Sequence, residues 1–570
     1  MPAGLVAFVV LAVLAAAILP AAAASPPASR ARRAMVVGPE PIAVARALEV
    51  LRSGGNAVDA AVTMALVLAV TFPQAGNLGG GGYMLIWKAD GKATVIDYRE
   101  TAPAAATRDM FLDASGRVVP GASLTTYKSS GVPGTIAGLA MALERHGTIT
   151  WARAVEPAIP LARDGFELPR GLETVLEKQR GSLAAWPASR KIFFAGEMPL
   201  QEGSRLVQKD LASTLRLLAR EGPGAFYGGR LAHLFAADMK AHDGLITVQD
   251  LASYRAVERA PLAGTYRGFQ LLTVPPSSAG GVAILESLNM LAPFDLAAMG
   301  HNSSAYVHLV CEATRRAFAD RSRWLGDPGF VEVPLGGLLS PGYAQARMRT
   351  YDPERASPPE SVVPGDPLAG ESTSTTHFAV LDEAGNVVAN TYTLNEWFGN
   401  GAVVEGLGIL LNNEMDDFAA APGQANLFGL TGSQANSIAP GKRMLSSMAP
   451  TILLERTPEG RMAPKLVIGA RGGSAIITSL LQITLDVVDL GMELQEAVNA
   501  PRFHHQWLPD RLFVEKGGFS TDVTDALRRR GHDVAERGPK DEVFAILVER
   551  HTGWIRGAAD ARGYGVADGY

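Results

Sequence analysis

The sequence predicts an α/β fold with a layered α/β/β/α core. Helical periodicity is clear in several segments of the N-terminal half, and strand-like runs stand between those helices. After about position 370 strands become more frequent, in the same continuous stretch of chain. No Gly/Ser linker, charge run or internal repeat divides the chain. Strands enclosed by helices without a break indicate sheets covered by helical layers.

The elements follow from local patterns taken in chain order. Apolar residues at helical spacing predict helices over 41–52, which ends at Ser53-Gly54-Gly55, and over 57–70, 135–146, 208–220, 281–291, 305–323 and 474–490. Runs of strand-forming residues predict strands over 83–87, 93–98, 408–412, 451–455, 465–468 and 543–548. A hairpin is predicted from 375–381 and 387–394, with Glu383-Ala384-Gly385-Asn386 as its turn.

Composition excludes several classes of protein. The chain has 570 residues, of which 47% are hydrophobic and 19% charged, so a large core is possible and intrinsic disorder is excluded as the main state. At about 150 residues per domain, length alone would predict three or four domains. The 52 Lys and Arg nearly balance 57 Asp and Glu, for a net charge of −5. Without a basic excess we expect no nucleic-acid partner.

We expect neither a metal nor a cofactor. Cys311 is the single cysteine, which excludes an internal disulfide, a thiolate zinc cluster and an iron–sulfur site. The phosphate-loop, His-Glu-x-x-His, Gly-x-Ser-x-Gly and EF-hand motifs are absent, and 79–82 lacks the spacing of a dinucleotide fingerprint. His504 and His505 would point to opposite faces of a strand, which suits packing better than a shared metal. A sizeable globular enzyme is the expected class.

The N-terminus resembles an export signal of atypical charge order. Residues 5–19 are apolar, and Pro20 with an alanine run follows, which predicts a signal peptide over 1–24 cut between Ala24 and Ser25. The first four residues carry no Lys or Arg, whereas Arg30 lies beyond the apolar run. An uncleaved anchor and a misassigned start codon are the alternatives, although Pro20 makes a stable membrane span unfavourable. We expect a periplasmic or secreted bacterial protein.

Nine short blocks carry a resemblance to a known family. They are Ser53-Gly54-Gly55-Asn56-Ala57-Val58-Asp59-Ala60-Ala61, Asn77-Leu78-Gly79-Gly80-Gly81-Gly82, Gly131-Val132-Pro133-Gly134-Thr135, Pro275-Pro276-Ser277-Ser278, Ala319-Asp320-Arg321-Ser322, Thr375-Thr376-His377, Asn412-Asn413-Glu414-Met415-Asp416-Asp417-Phe418, Leu445-Ser446-Ser447-Met448 and Asn499-Ala500-Pro501-Arg502. From Ala47 to the C-terminus the chain closely resembles the γ-glutamyltranspeptidases, which are N-terminal nucleophile hydrolases. The resemblance implies a four-layer αββα sandwich formed by two chains cleaved from one precursor.

The resemblance implies self-cleavage between Ser374 and Thr375. By composition alone, 371–377 is a Ser/Thr-rich loop entering a strand. In the family reading, the cut gives a large subunit over 25–374 and a small subunit over 375–570, interleaved in one globular domain. Thr375 then becomes an N-terminal nucleophile, because its own α-amine, with a pKa of about 7.7–8.0, can act as the general base.

The resemblance also assigns a γ-glutamyl pocket. Arg99 would hold the substrate α-carboxylate with a bidentate guanidinium, helped by Ser446 and Ser447. Asp417, with Asn395 and Glu414, would hold the α-ammonium. Taken alone, Arg99 beside Glu100 is typical of a surface ion pair, and Asp416-Asp417 of a helix N-cap.

The remaining catalytic assignments are main-chain and hydroxyl groups. The amides of Gly472 and Gly473 would form the oxyanion hole, because glycine lets the backbone approach the reacting carbonyl. Thr393 would orient the α-amine of Thr375. Taken alone, the glycine pair is a strand-to-helix turn.

The chain departs from the family pattern around this site. Arg471 stands where proline is common, and Phe428 where tyrosine is common on a lid loop. The block Gly538-Pro539-Lys540-Asp541-Glu542-Val543 lacks the usual small and Gln residues, and Trp397 and Asn400 are unusual in bulk and polarity. These departures concern acceptor preference and rate.

The function implied is transfer of the γ-glutamyl group of glutathione, or of a similar amide, through an ester on Thr375. The acyl group would pass to water, an amino acid or a peptide, and the two cleavage products would form a heterodimer. One alternative is an acylase of the same fold that acts on glutaryl amides such as cephalosporin side chains. The other is an inactive secreted scaffold protein.

Overall fold

The computed structural model describes residues 25–366, 376–421, 426, 427 and 429–570. In chain order the strands are β1 Ser29–Ala31, β2 Met35–Gly38, β3 Gly81–Trp87, β4 Ala93–Asp97, β5 Phe166–Glu167, β6 Phe194–Ala195, β7 Met198–Pro199, β8 Arg205–Leu206, β9 Val257–Arg259, β10 Leu262–Tyr266, β11 Phe269–Thr273, β12 Thr376–Leu381, β13 Val387–Thr393, β14 Val403–Val404, β15 Ile409–Leu410, β16 Thr451–Arg456, β17 Met462–Arg471, β18 Phe503–His504, β19 Leu512–Glu515, β20 Val534–Arg537, β21 Glu542–Glu549, β22 Trp554–Ala559 and β23 Val566–Gly569.

Most of the α-helices precede β12 in the chain, and three follow β17. The α-helices are Pro41–Arg52, Ala57–Thr71, Thr135–His146, Trp151–Val155, Ala158–Asp164, Arg170–Lys178, Arg180–Ala184, Pro187–Phe193, Lys209–Glu221, Gly224–Tyr227, Arg230–Ala241, Val248–Ser253, Gly280–Leu291, Leu296–Met299, Ser304–Trp324, Leu335–Leu338, Pro341–Arg347, Ala475–Val488, Leu494–Asn499 and Thr521–Arg529. Short 3-10 helices cover Tyr127–Ser129, Met348–Thr350, Pro359–Ser361, Glu414–Asp417 and Gln434–Asn436.

Two seven-stranded sheets form the centre of the molecule. The first sheet has the order β1-β22-β21-β17-β16-β11-β10, and the second has the order β23-β2-β12-β13-β3-β4-β9. Every pairing within the two sheets is antiparallel. Smaller sheets pair β14 with β15, β5 with β8, β6 with β7, and β18 with β19 and β20.

The side chains of the two sheets contribute to three hydrophobic layers, one between the sheets and one outside each sheet. On β12, Ala379 and Leu381 pack between the two sheets, whereas Phe378 and Val380 face the helices outside the second sheet. This alternation is the two-residue period of a strand, and both faces of β12 are buried. Leu466 and Ile468 of β17 face a third layer, outside the first sheet.

Helices cover the outer face of each sheet. Pro41–Arg52, Ala57–Thr71 and Thr135–His146 pack on the second sheet. Gly280–Leu291, Ser304–Trp324 and Ala475–Val488 pack on the first. The four layers are therefore αββα, and the predicted fold class is confirmed. No helix among the described residues is long and apolar enough to cross a membrane.

Local signals placed most predicted elements within two or three residues of their observed bounds. The helices predicted over 41–52 and 135–146 have those bounds, and the predicted helix at 57 begins where Asn56 and Asp59 form a reciprocal capping box. The hairpin is confirmed from Thr376 onward, with Thr376 opposite Tyr392. The strand predicted over 408–412 is shorter, because only Ile409–Leu410 pairs with β14.

Both sheets combine strands from before and after residues 367–375, which lie outside the described residues. In the second sheet, β12 pairs with β2 on one side and with β13 on the other. In the first sheet, β16 pairs with β11 and β22 pairs with β1. The chain on either side of the predicted cleavage site is thus interleaved in both sheets.

Candidate active site

The glycine run at 79–82 packs against the end of β13. The Asn77 side-chain amide donates a hydrogen bond to the Thr393 carbonyl oxygen at 2.9 Å, and its Oδ1 accepts one from the Gly80 amide at 2.9 Å. A Cβ atom on Gly80 would stand 1.9 Å from the Thr393 oxygen. Glycine is required here for close backbone packing, and this contact positions Thr393.

Asn412 anchors the segment that carries the acidic site residues. Its Nδ2 donates to the carbonyl oxygens of Gly79 and Gly131, each at 2.8 Å, and its Oδ1 accepts from the Gly131 amide at 2.8 Å. The same Oδ1 accepts from the Glu414 amide at 3.1 Å. The 3-10 helix Glu414–Asp417 is thereby fixed against the second sheet.

The 3-10 helix Glu414–Asp417 contains both aspartates that the sequence interpretation placed at a helix N-cap. Asp416 and Asp417 lie inside it and do not cap an α-helix, so the N-cap interpretation is wrong. Asp416 accepts hydrogen bonds from the Ser123 hydroxyl at 2.6 Å and from the Leu427 amide at 3.1 Å. Asp417 turns the other way, toward Arg99.

Arg99 lies at the centre of a fully buried group of carboxylates. Its Nη1 is 2.5 Å from Glu414 Oε2 and 3.2 Å from Glu100 Oε2, and its Nη2 pairs with Asp417 Oδ2. Its Nε donates to the Met444 carbonyl oxygen at 3.1 Å. All four charged side chains are 0% exposed. The interpretation of Arg99 and Glu100 as a surface pair is therefore wrong, and the predicted carboxylate and ammonium clamps contact each other.

Burial and charge shift the pKa values of this group in a consistent way. Burial alone would lower the pKa of Arg99, but Glu414, Glu100 and Asp417 together raise it, so the guanidinium stays charged. Burial, reinforced by the Glu414 carboxylate, raises the pKa of Glu100 well above its usual value. Burial also raises the pKa of Glu414, against the opposing effect of Arg99. Three buried carboxylates against one guanidinium leave an excess of negative charge, which favours the protonated form of Glu100.

Ser446 and Ser447 follow the Met444 carbonyl that Arg99 contacts. Ser446 already has hydrogen-bond partners within the protein. Its Oγ accepts a hydrogen bond from the Met448 amide at 3.1 Å, and its own amide donates one to the Ser277 carbonyl at 3.1 Å. Ser447 Oγ is buried and has no hydrogen-bond partner in the described part of the chain. An unsatisfied buried hydroxyl is unfavourable without a ligand, which fits a group that meets a substrate oxygen.

Asn395 presents a second unsatisfied polar atom. Its amide donates to Thr393 Oγ1 at 2.7 Å, and its Nδ2 donates to the Asn413 carbonyl at 2.9 Å. Its Oδ1 is buried, with no hydrogen bond to any described residue. The residue has a φ of 74°, in the left-handed region that asparagine tolerates. Asn395 therefore ties Thr393 to the acidic segment and offers an acceptor oxygen.

Gly472 and Gly473 form the turn between β17 and the helix Ala475–Val488. Their φ values are 139° and 72°, which non-glycine residues rarely adopt. A Cβ on Gly472 would lie 2.7 Å from Asp541 Oδ1. The strand-to-helix turn is confirmed, and the conformation and close approach both require glycine at 472.

Four predicted features lie outside the described residues, and the signal peptide over 1–24 is the first of them. Ser374 and Thr375 fall in 367–375, and Phe428 is also outside. The described chain resumes at Thr376, which begins β12 and whose Oγ1 is buried without a hydrogen-bond partner among described residues.

A cavity of about 890 Å³ opens beside the glycine turn. Thr393, Asn395 and Gly472 line it, together with Trp397, Arg471 and Glu542. The Arg471 guanidinium carbon is 4.7 Å from the centroid of the Trp397 ring, and the same guanidinium pairs with Glu542. Sequence reasoning treated these residues as separate departures, but they form one cluster. Asn400 is different, because its Nδ2 donates to the Thr126 carbonyl at 3.0 Å and supports a loop.

The adjacent histidines His504 and His505 contact different side chains. His504 contacts Thr478 and Gln506, whereas His505 Nε2 lies 3.2 Å from Asp510, so the adjacent pair has separate partners as predicted. One group among the described residues, comprising His308, Glu312 and His532, has possible metal-ligand atoms within 4.8 Å of one another.

The atoms of this group are already engaged. His308 Nδ1 and His532 Nε2 share a hydrogen bond of 2.8 Å. Burial alone would raise the pKa of Glu312, but Arg316 and Arg315 outweigh it and lower that pKa to about 2. Arg315 and Arg316 therefore form ion pairs with the Glu312 carboxylate, so His308, Glu312 and His532 belong to a packed polar cluster.

Comparison with known proteins identifies the family. The family model for Gamma-glutamyltranspeptidase matches residues 43–570. The Glutathione hydrolase proenzyme of Escherichia coli (strain K12) is 47% identical over 535 residues, which cover 94% of this chain and 91% of that protein. The chain belongs to the γ-glutamyltranspeptidase family.

Acylases of the same fold are also similar. The Acylase ACY 1 proenzyme of Pseudomonas sp. (strain SE83) is 39% identical over 514 residues, covering 89% of this chain and 88% of that protein. The crystal structure of cephalosporin acylase from Bacillus halodurans superposes with a TM-score of 0.84 at 25% identity, covering 97% of this chain and 99% of that one. The γ-glutamyltranspeptidase family therefore shares its N-terminal nucleophile hydrolase fold with acylases, and the protein is a γ-glutamyltransferase-type enzyme made as a self-cleaving precursor.

Proposed function

We propose that this enzyme cuts itself between Ser374 and Thr375 and then uses Thr375 to cleave the γ-glutamyl amide of glutathione and related compounds. The products of the cut are the pieces 25–374 and 375–570, which stay together as a heterodimer. The E. coli relative is a glutathione hydrolase proenzyme, which supports this donor. Export through a signal over 1–24, to the periplasm or the exterior, remains part of the proposal.

The proposed reaction begins on the Thr375 hydroxyl. Its Oγ attacks the γ-carbonyl carbon while the Thr375 α-amine takes the hydroxyl proton. The amides of Gly472 and Gly473 stabilise the negative charge on the carbonyl oxygen. The intermediate collapses to a γ-glutamyl ester, and the departing amine takes the proton. Water or the amine of an amino acid or peptide then attacks the ester and restores Thr375.

The position of Thr393 supports its role beside the nucleophile. Thr376 pairs with Tyr392, so Thr393 is the next residue of β13 beyond the start of β12. Thr375 directly precedes Thr376 in the sequence, which supports a role for Thr393 beside it. The Thr393 hydroxyl is held by the Asn395 amide and can orient the Thr375 amine.

The buried ion pairs of Arg99 are the main support for specificity toward a γ-glutamyl group. In the structure Arg99 pairs with Asp417, so each charge neutralises the other. A substrate with both an α-carboxylate and an α-ammonium would replace this pair by two new pairs, Arg99 with the carboxylate and Asp417 with the ammonium. Ser446, Ser447, Asn395 and Glu414 complete the pocket, and buried charges demand such partners.

The glutaryl acylase is the second candidate, favoured by the similarity to acylases of this fold. A glutaryl group has the carboxylate but no α-ammonium. Binding it would take Arg99 from Asp417 and leave that buried carboxylate without a compensating charge, which is unfavourable. The glutamyl substrate is therefore preferred.

Intact mass spectrometry of the purified protein tests the proposal. The wild type should appear as two chains separated at Ser374–Thr375, and brief exposure to a γ-glutamyl donor should add one γ-glutamyl group to the Thr375 chain. Thr375→Ala should remain a single chain without an adduct. Two chains from Thr375→Ala would refute self-cleavage by this residue, and a processed wild type without an adduct or turnover would favour the inactive scaffold.

A further inference from the structure

The cavity beside Gly472 adjoins the proposed glutamyl pocket at Asn395 but does not include its innermost charged residues. The residues assigned to the α-carboxylate and α-ammonium, Arg99 and Asp417, are fully buried and do not line the cavity. Thr393, Asn395 and Gly472 do line it. An amide whose head group lies in the buried pocket must extend its other half past Gly472. The cavity is therefore the space for the leaving amine and for the acceptor.

Arg471 lines this cavity and is held by two contacts. It is the last residue of β17 and lies opposite Glu542 of β21, with which it forms an ion pair. Its guanidinium lies over the Trp397 ring, a stacking contact that arginine favours. The side chain is 12% exposed, and its Nε is buried with no hydrogen-bond partner among the described residues. Arginine carries five N–H donors, so pairing with Glu542 leaves donors for a ligand.

We infer that Arg471, fixed by Glu542 and Trp397, is a specificity residue that binds a carboxylate on the leaving or accepting peptide. This inference rests on the proposed function of the site. Glutathione has such a carboxylate at its glycine end, on the far side of the cleaved amide. A guanidinium next to the glycine turn would hold it by charge-assisted hydrogen bonds. Glu396 also lines the cavity, so the preference is ascribed to Arg471 and not to the total charge of the cavity.

A pair of matched substrates isolates this contact. Glutathione and its C-terminal glycinamide differ only in the carboxylate, and turnover of both is measured by release of the cysteinyl product. The variant Arg471→Gln/Glu542→Gln removes the charge without leaving Glu542 unpaired. We expect its kcat/KM for glutathione to fall about tenfold or more, with a change of less than about threefold for the glycinamide. An unchanged ratio between the two substrates would overturn the inference.

The control variant is Lys178→Gln, which removes one positive charge from the lining of the same cavity. We expect it to leave the substrate ratio unchanged, and an equal fall would show a general electrostatic effect and overturn the role of Arg471. Self-cleavage and melting temperature of each variant check folding. Failure of the wild type to turn over either substrate, or to form the Thr375 adduct, would instead refute the proposed function.

Discussion

At the residue scale, the pairing of Arg99 with Asp417 is the feature that most constrains the chemistry. The two side chains are 318 residues apart in sequence and meet where neither contacts water. Removing one partner of a buried pair is costly because the other charge remains desolvated. Under the proposed assignment, the residue for the ammonium, Asp417, neutralises the residue for the carboxylate, Arg99, and a zwitterionic head group would satisfy both charges at once.

Asp417→Asn should reduce discrimination for the α-ammonium. We expect kcat/KM for a γ-glutamyl anilide to fall about 10- to 100-fold, because a charge-assisted contact is lost. The value for a glutaryl anilide should fall less, since that substrate has no ammonium. Comparison of the two anilides on the purified enzyme measures the effect.

Asp416→Asn is the matched control for this variant. Asp416 bonds to Ser123 and the Leu427 amide, so the ratio between the two anilides should stay near the wild-type value. An equal loss on both anilides in Asp417→Asn would contradict the ammonium assignment.

At the scale of elements, the helix Ser304–Trp324 holds the chain just before the predicted cleavage segment. Asp320 Oδ1 accepts a hydrogen bond from the Gly365 amide at 2.5 Å, and Trp324 Nε1 donates to the Gly365 carbonyl at 2.9 Å. Asp320 is itself held by the Tyr343 hydroxyl at 2.9 Å and by Arg347 at 2.8 Å. Both backbone groups of Gly365 are thus bound to one rigid helix.

We expect Gly365→Ala to slow self-cleavage about tenfold or more without impairing the mature enzyme. A Cβ there would lie 2.0 Å from the Tyr343 hydroxyl, so the chain must shift at its anchor, and small misplacements are costly to an intramolecular attack. The time course of precursor loss on a denaturing gel gives the rate. Turnover per cleaved molecule should match the wild type.

The double variant Gly365→Ala/Tyr343→Phe supplies the control, because it removes the atom nearest to the added Cβ and leaves the ring carbon Cζ, at 2.8 Å, as a smaller conflict. Its cleavage rate should recover toward that of Tyr343→Phe alone. Wild-type cleavage by Gly365→Ala would show that this anchor does not position the scissile bond.

At the scale of the whole molecule, the two predicted chains share both central sheets. Strand β12 lies between β2 and β13, and β23 pairs with the other edge of β2. Hydrophobic side chains from both sheets fill the layer between them. Separation of the chains would expose this layer and break several strand pairings, so association after cleavage is part of the folded state.

We expect the cleaved enzyme to elute as one species and to unfold in one transition that a reducing agent leaves unchanged. Cys311 is the single cysteine and is buried, so no disulfide joins the chains. Size-exclusion chromatography with a denaturing gel, and calorimetry with and without dithiothreitol, test this. Separate elution of the chains without denaturant would contradict the shared-core interpretation.

Much of the fold could be predicted from the sequence because the relevant signals are local. The apolar spacing and the capping residues of helices such as Ala57–Thr71 lie within the elements themselves. Strands of three or four residues, such as β1, β2 and β23, were not predicted. They are too short for a pattern, and pairing with distant strands stabilises them.

The sequence by itself determined the family blocks, the fold class and the residue types that the chemistry requires. Only the tertiary structure decided how those residues pair: that Arg99 contacts Asp417, and that Arg471 meets Trp397 and Glu542 in one cluster. The physical reason is that these contacts join strand ends and loops brought together by sheet packing. Charges far apart in the chain leave no local pattern, and their partners depend on which surfaces the folded layers bury.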